Sequence, residues 1–596
     1  MLAFLKSRTC FRVAVLLGTA GVAAAQIPAW ESAFDADVPW WYGVPPLLAV
    51  VVAVLGRVKK VSVVADVATL WRLLGLMLLL NATANPMFFA PPCQPQVALF
   101  SATGSACVLW AILGSWSLVL WVPLMLLGVA QIVSFLQYGT RFNSLVLAES
   151  FEASWDEVTA YFSLSNGALA LLALVLVCWY GWLMRRVLRP VNRLALLCSG
   201  ALLATLALVA EVLLPSHRQS LEQHFWPASE VAHLYCSCEE AIAHNLEVVQ
   251  LAEGLASPAA EPSTCDTLDE DSGVVVVLHI GESVRADAMS INGYQRDTTP
   301  WLRSNPRVIN FSRCISAACD TCQAQIVILT NARRGINDKS PGMQPTTGSV
   351  LDLLHKHGFK VYSFFGRRCA QQLKYDRVVR VLTRVSEERF NASGAPWTIL
   401  PAMEQVLSGR EKENMVFFIN NEGSHTPFDL YDRQQPPFAP AGADFQNPAA
   451  HAREVRNAYD SSIHYTDEFW RRVCSLLEGR PFVYIYVSDH GEYLGQNGIW
   501  GRGGLGSSRV AYHDTAGSRV GMFVVTSPEF DAVHPHVAEA VRQLRNHATL
   551  TVGHEHIFHT LLGLFNIQTR YYEPALDLCN PQVQPYSGPQ PADSAE

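Results

Sequence analysis

Hydrophobic positions are distributed unevenly along this chain. They form long runs near 11–29, 44–58, 69–90, 105–136, 166–184 and 193–215, and beyond residue 216 the runs become short and are separated by mixed segments. A membrane-crossing helix needs about 20 mostly apolar residues, so the first pattern predicts about five to seven spans. The range comes from two runs: 44–58 is short, and 105–136 fits one tilted helix or a tight pair. The first run follows Lys6, Arg8 and Arg12 and ends near Ala23-Ala24-Ala25-Gln26, as a signal peptide would. More apolar runs follow directly, so it reads as a span. Basic residues in the loops set the orientation, because cytoplasmic loops collect Lys and Arg. Arg57, Lys59 and Lys60 mark one such loop, and Arg185, Arg186, Arg189 and Arg193 mark another. The run 193–215 then exits, and everything after it lies outside. The segment 137–165, with Glu149, Glu152, Trp155, Asp156 and Glu157, reads as amphipathic and surface-lying, or as a plain loop.

After a Pro/Ser/Glu/Asp-rich linker a second rhythm begins. Residues 273–280, 361–365, 415–420, 482–488 and 521–526 are short apolar, β-branched runs, the pattern of strands buried on both faces. Helical patterns at 348–358, 397–408, 454–478 and 535–546 alternate with them, which predicts a mostly parallel α/β sheet. The expected organisation is therefore a transmembrane α-helical bundle over 1–215, a linker with a bridging helix over 216–272, and an α/β domain over 273–596.

Composition agrees with this division. The chain has 596 residues, half of them hydrophobic and only 16% charged, where soluble domains carry about 25%. That excludes a small binding module, a disordered chain and a single-domain cytosolic enzyme. The net charge of −8 leaves no basic footprint for nucleic acid. Of 14 cysteines, nine follow the last apolar run, and in an exported domain they read as disulfides before a metal cage. Cys319-Asp-Thr-Cys322 is a lone CxxC, without the second pair that a four-cysteine zinc site needs.

In α/β sheets, ligands bind beyond the carboxyl ends of the strands. Here three strands end in reactive side chains: Gly281-Glu282-Ser283, Asn421-Glu422-Gly423-Ser424-His425 and Asp489-His490-Gly491-Glu492. Such carboxylates and imidazoles suit zinc, with manganese less suited. Two carboxylates and one imidazole leave a fourth position open, where a hydroxyl becomes a nucleophile. Ser283 and Thr321 are the candidates. Thr321 precedes the apolar run 326–329, at what reads as the start of a helix, where free N–H groups favour a phosphoryl group. Ser283, beside a ligand carboxylate, reads as its support. Arg285 could grip phosphate or brace the loop. His554-Glu-His-x-x-His559 lacks a histidine where an HExxH motif needs one, so His556 and His559 read as packing, and His534, His536 and His547 as solvated.

Gly281-Glu-Ser-Val-Arg-Ala-Asp287 continuing to Ser290-Ile-Asn-Gly-Tyr-Gln-Arg-Asp-Thr-Thr-Pro300, Val487-Ser-Asp-His-Gly-Glu-Tyr-Leu-Gly-Gln-Asn-Gly498 and Ile557-Phe-His-Thr-Leu-Leu-Gly-Leu564 resemble the blocks of the phosphoethanolamine transferases, members of the alkaline phosphatase/sulfatase superfamily. The resemblance implies a sulfatase-like catalytic domain in the periplasm, anchored in the bacterial inner membrane, acting as a monomer. It implies transfer of phosphoethanolamine from phosphatidylethanolamine to lipid A, lipopolysaccharide core or a related glycan. Thr321 would carry a phosphothreonine intermediate, and Glu282, Thr321, Asp489 and His490 would hold one or two zinc ions. His425 matches a histidine that binds the phosphoryl group or a second zinc. Arg502 stands where a histidine is typical, and His513 is the next histidine along. The alternatives are a phosphoglycerol transferase or a phospho- or sulfo-ester hydrolase on the same scaffold. A transporter or sensor is disfavoured, since Glu211 is the lone ionisable residue deep in the apolar runs.

Overall fold

The structure is a computed structural model. It describes residues 71–72, 74–78, 95–119, 164–190, isolated positions between 196 and 246, and 248–588 except 270, 334–346, 368–372, 427, 429–434, 442–447, 497–498 and 502–514. Two compact units divide the chain, the second taking the described residues from Ile242 onward. The expected spans at 11–29 and 44–58, the segment 137–163, and both Arg502 and His513 lie outside the described residues.

In the first unit, α1 (Pro95–Leu113) and α2 (Leu164–Leu188) fall in two of the apolar runs. Ala106, Cys107, Trp110, Val177, Tyr180 and Met184 pack together, while Ile112, Trp116, Val119, Leu171, Val175 and Trp182 are exposed. Apolar residues thus occupy both the packed and the outward sides, the pattern of a helix that needs a non-aqueous surround. Among the described residues one helical stretch, Ala102–Val119, is long and apolar enough to cross a membrane. Arg185 and Arg186 close the last turn of α2, where the helix dipole favours cations.

The second unit is built on a seven-stranded sheet. Its strands are β1 (Val275–Gly281), β2 (Val308–Asn310), β4 (Lys360–Phe365), β5 (Ser386–Asn391), β6 (Met415–Asn420), β7 (Phe482–Ser488) and β9 (Met522–Thr526), in the order β2-β9-β7-β1-β6-β4-β5. The five strands from β7 to β5 are parallel, and β9 runs antiparallel to β7 and β2, so the expected parallel sheet is mixed at one side. Every residue of β1, β6 and β7 is buried. Along β1 the side chains alternate. Val276, Leu278 and Ile280 enter one core with α3 (Thr321–Leu329), α4 (Val350–Lys356), α8 (Pro535–His547) and α9 (Glu555–Leu564), and Val275 and Val277 enter the other with α6 (Leu400–Leu407) and α7 (Ala452–Leu476). Between β4 and β5 lies α5 (Leu373–Leu382). Sheet faces covered on both sides explain the unbroken apolar runs.

A small second sheet, β8-β3-β10, joins Arg519–Val520, Cys314–Ile315 and Val552–Gly553. It holds the start of the loop that leads into α3. Upstream, Val248, Val249 and Ala252 are in the core of this unit, and Ser263–Thr264 pairs with Gln568–Thr569. Part of the stretch expected as linker is therefore packed against the catalytic fold.

Two expectations differ from the structure. No disulfide is present among the described residues, where Cys314, Cys474 and Cys579 are thiols buried in the cores. His534, His536 and His547 are half-buried, not solvated: His534 caps α8, His536 bonds the Gly563 carbonyl at 2.7 Å, and His547 bonds that of Leu578 at 2.9 Å. The His536 ring reaches a carbonyl that the end of α9 leaves open.

Candidate active site

Strand register builds the site. Ile280 pairs with Asn420 on one side and with Val487 on the other, and Gly281 pairs with Ser488. The three strands end level, so Glu282, Asn421 and Asp489 leave the sheet together. Gly281 is a steric requirement, because a Cβ there would lie 2.1 Å from the Tyr486 hydroxyl. Ser283 takes a left-handed backbone, φ 60°, unusual for a non-glycine residue. That turn brings its N–H to Asp489 Oδ1 at 3.0 Å and its hydroxyl to Glu282 Oε1 at 2.9 Å. Ser283 thus bonds both carboxylates of the expected ligand set.

Glu282, Asp489 and His490 are buried and place one ligand atom each within 4.8 Å of one another. His490 Nδ1 faces the Gly491 carbonyl at 2.9 Å, so Nδ1 carries the proton. Its Nε2 then presents a lone pair 3.2 Å from Glu282 Oε1 and 3.3 Å from Asp489 Oδ2. A lone pair facing two carboxylates at this range calls for a cation between them. A tetrahedral zinc with ligands about 2.0 Å away sets its ligand atoms roughly 3.3 Å apart, so the donor set fits zinc in type and spacing.

Thr321 completes the group. It is the first residue of α3, with Asp320 as N-cap accepting from the Gln323 N–H at 3.0 Å. Its hydroxyl donates to Glu282 Oε2 at 3.3 Å. Thr321 is half-buried while the three ligand candidates are buried, so it is the member of the group that solvent reaches. The loop before it is fastened to the ligand strand: the Ser316 hydroxyl contacts the carbonyls of Asp489 and of Ala318.

The other expected residues divide. Arg285 does not point a free fork at a ligand. Its guanidinium grips Asp287 and donates to the Glu492 carbonyl at 3.2 Å, which braces the loop. Tyr459 holds the same loop, donating to the Ser283 carbonyl at 2.7 Å and accepting the Arg285 N–H at 3.0 Å. Burial pushes its phenol up, which keeps the proton that this bond uses. His425 lies half-buried in the 421–426 loop, which reaches the 489–492 loop through Thr426 and Glu492 Oε1 at 3.0 Å. Tyr459, Ser316, Ser488, Asn420 and Gln325 were given no role by sequence, and His554 figured only in a motif that lacks its last histidine. Asn420 donates to the Ile280 carbonyl at 2.9 Å and accepts from Gln325 of α3 at 3.0 Å, tying α3 to the sheet edge. The one available signal was a polar residue closing an apolar strand.

Comparison with known proteins agrees with this geometry. Residues 274–567 match the sulfatase family. The chain is 26% identical over 242 residues to the phosphatidylethanolamine transferase Mcr-1 of Escherichia coli, a match over 38% of this chain and 44% of that protein. It thus spans under half the length of that relative. It is 22% identical over 474 residues to the phosphoethanolamine transferase EptA of Escherichia coli O157:H7, covering 76% of this chain and 83% of that one. Among solved structures, the integral membrane protein lipooligosaccharide phosphoethanolamine transferase A of Neisseria meningitidis superposes with a TM-score of 0.59 at 18% identity, over 89% of this chain and 97% of that one, which shows a shared fold. A sulfatase-family match around the level strand ends, together with similarity to phosphoethanolamine transferases over most of the length, supports the phosphoethanolamine transferase family for this chain.

Proposed function

We propose that the protein transfers phosphoethanolamine from phosphatidylethanolamine to a lipopolysaccharide or related glycan acceptor, with Thr321 as nucleophile. The observation that carries this is the Thr321 hydroxyl at a helix N-terminus, 3.3 Å from Glu282 in the Glu282–Asp489–His490 cluster. Glu282, Asp489, His490 and Thr321 would hold a zinc ion, whose Lewis acidity would lower the pKa of the threonine hydroxyl. Glu282 Oε2 receives the hydroxyl's hydrogen bond and orients the oxygen toward the open side. The oxygen attacks phosphorus, a Thr321 O–P bond forms, and the bond from phosphorus to the glycerol oxygen breaks. Diacylglycerol leaves with the proton that Thr321 gives up. An acceptor hydroxyl or phosphate then attacks the phosphothreonine, the Thr321 O–P bond breaks, and the threonine oxygen takes a proton from the acceptor or, where the acceptor is a fully ionised phosphate, from water. The N–H groups opening α3 face the phosphoryl oxygens. His425, on the adjoining loop, is the candidate to contact the same group, and Arg502 and His513 are candidates from sequence for the substrate side.

The apolar helices of the first unit support an inner-membrane anchor, which holds the catalytic domain in the periplasm beside its lipid donor. Incubation of the full chain with phosphatidylethanolamine, followed by intact mass measurement, tests the reading. The expected result is a phosphoethanolamine adduct on Thr321 and release of diacylglycerol. Release from phosphatidylglycerol instead, or turnover without an adduct, would sink it.

A further inference from the structure

His554 stands at the junction of β10 and α9, fully buried, far in sequence from the residues it touches. Its Nδ1 accepts the Ala317 N–H at 3.2 Å, and its Nε2 meets the Ser488 carbonyl at 3.0 Å. A carbonyl only accepts, so the proton sits on Nε2 and one neutral tautomer satisfies both bonds. Its own N–H donates to the Ile315 carbonyl at 3.3 Å. Ser488 immediately precedes the ligand candidates Asp489 and His490. Ala317 lies in the loop that delivers Thr321, whose Ser316 hydroxyl contacts the Asp489 carbonyl directly. The imidazole therefore spans the two chain segments whose separation decides where the nucleophile sits relative to the ligands. The neighbouring histidines do nothing comparable: His556 bonds Gly553 and Gln584, and His559 accepts from Glu573.

We propose that His554 is a positioning residue for the reaction: it holds the Thr321 loop at a set distance from Asp489–His490 and so acts on formation of the threonine adduct, not on lipid binding or metal retention. The inference rests on the transfer reading given above. Reacting atoms tolerate little displacement, and a misplacement of about 1 Å costs on the order of 100-fold in rate. An acceptor and a donor on one rigid ring fix both segments at once, which two separate hydrogen bonds to water would not do.

The test uses the full chain in detergent with phosphatidylethanolamine micelles, comparing wild type, His554→Ala, His554→Gln and His559→Gln. Adduct formation is followed by intact mass, together with KM for the lipid, zinc content and the thermal midpoint. Expected is adduct formation about 10- to 100-fold slower in His554→Ala, with KM and zinc content within about twofold of wild type. His554→Gln, whose amide offers an acceptor and a donor on a freer side chain, regains part of that loss and stays slower than wild type. His559→Gln loses stability and keeps the wild-type rate. The proposal is overturned if His554→Ala forms the adduct at the wild-type rate. It is equally overturned if the slowing follows thermal midpoint alone, so that His559→Gln slows alongside. Should His554→Ala fail to fold, the comparison of His554→Gln with His559→Gln decides: a slowed glutamine variant beside an unslowed control supports the role, and equal rates refute it. A wild-type chain that forms no adduct overturns the transfer reading itself, and this inference with it.

Discussion

Thr321 and Glu282 are 39 positions apart in sequence, yet the threonine hydroxyl donates to Glu282 Oε2 across 3.3 Å. The contact exists because a helix start and a strand end meet at the same sheet edge. Thr321→Ala should lower transfer by about a thousandfold or more while the fold persists, since removal of a nucleophile is a loss made in the transition state. Thr321→Ser keeps the hydroxyl but frees its rotamer, and should retain more activity than alanine. Initial rates of diacylglycerol release measure both; an alanine variant with several per cent of wild-type rate would exclude Thr321 as nucleophile.

Ser283 combines a left-handed backbone with a hydrogen bond to Glu282 Oε1 at 2.9 Å. Ser283→Ala should weaken zinc binding by about 10- to 100-fold, the usual effect of losing a partner that orients a ligand. Ser283→Val should be worse, because a β-branched side chain resists positive φ. Competition with a chromogenic chelator reads the affinity, and equal affinities in wild type and both variants would contradict the assignment.

Gly281→Ala brings a Cβ to 2.1 Å from the Tyr486 hydroxyl in a fully buried strand. Overpacking of this kind costs typically about 1–3 kcal/mol. The thermal midpoint of the full chain should drop, and Tyr486→Leu in the same chain should restore part of the loss. A single substitution that leaves the midpoint unchanged would show that the strand edge can give way.

Burial holds His279 and His559 down at about 3. Both rings are engaged as neutral groups, His279 with the Tyr484 hydroxyl at 2.7 Å and His559 as acceptor for the Glu573 N–H at 3.1 Å. Their unfolded value is about 6.5. Below it the unfolded chain takes up protons that the folded chain refuses. Their stabilising contribution is therefore complete above about pH 6.5 and falls as pH drops toward 3, by up to about 1.4 kcal/mol per pH unit for each histidine. Thermal midpoints at about pH 7.5 and about pH 5 should differ less in His559→Gln than in wild type. The same spread in both would remove His559 from the explanation.

Much of the catalytic fold was legible because buried parallel strands leave a strong trace. Runs such as 415–420 and 482–488 are apolar on both faces, and their ends in Asn421-Glu422 and Asp489-His490 announced a site at the carboxyl edge. Thr321 was legible as the start of a helix, and the structure adds Asp320 as its cap. Arg285 was ambiguous for a physical reason: a guanidinium that grips phosphate and one that grips Asp287 look alike until the partner is placed. His554 and Asn420 left no usable trace, because their bonds run to backbone groups of residues distant in the chain, and backbone groups carry no sequence signature.

The sequence by itself pointed to a division into an apolar helical part and an α/β part, to five of the seven strands of the main sheet with β2, β5 and the helix α5 unread, and to the chemical types at the strand ends. Those follow from local periodicity and composition, which depend on burial one element at a time. Tertiary structure alone decided that three strands end level, that β9 runs antiparallel, and that Thr321 reaches Glu282. It also decided which imidazoles face the cluster and which merely satisfy carbonyls, as His490 and His556 do respectively. Register and long-range hydrogen bonding are set by the packing of whole layers, and the directions of side chains at a site exist only once those layers have met.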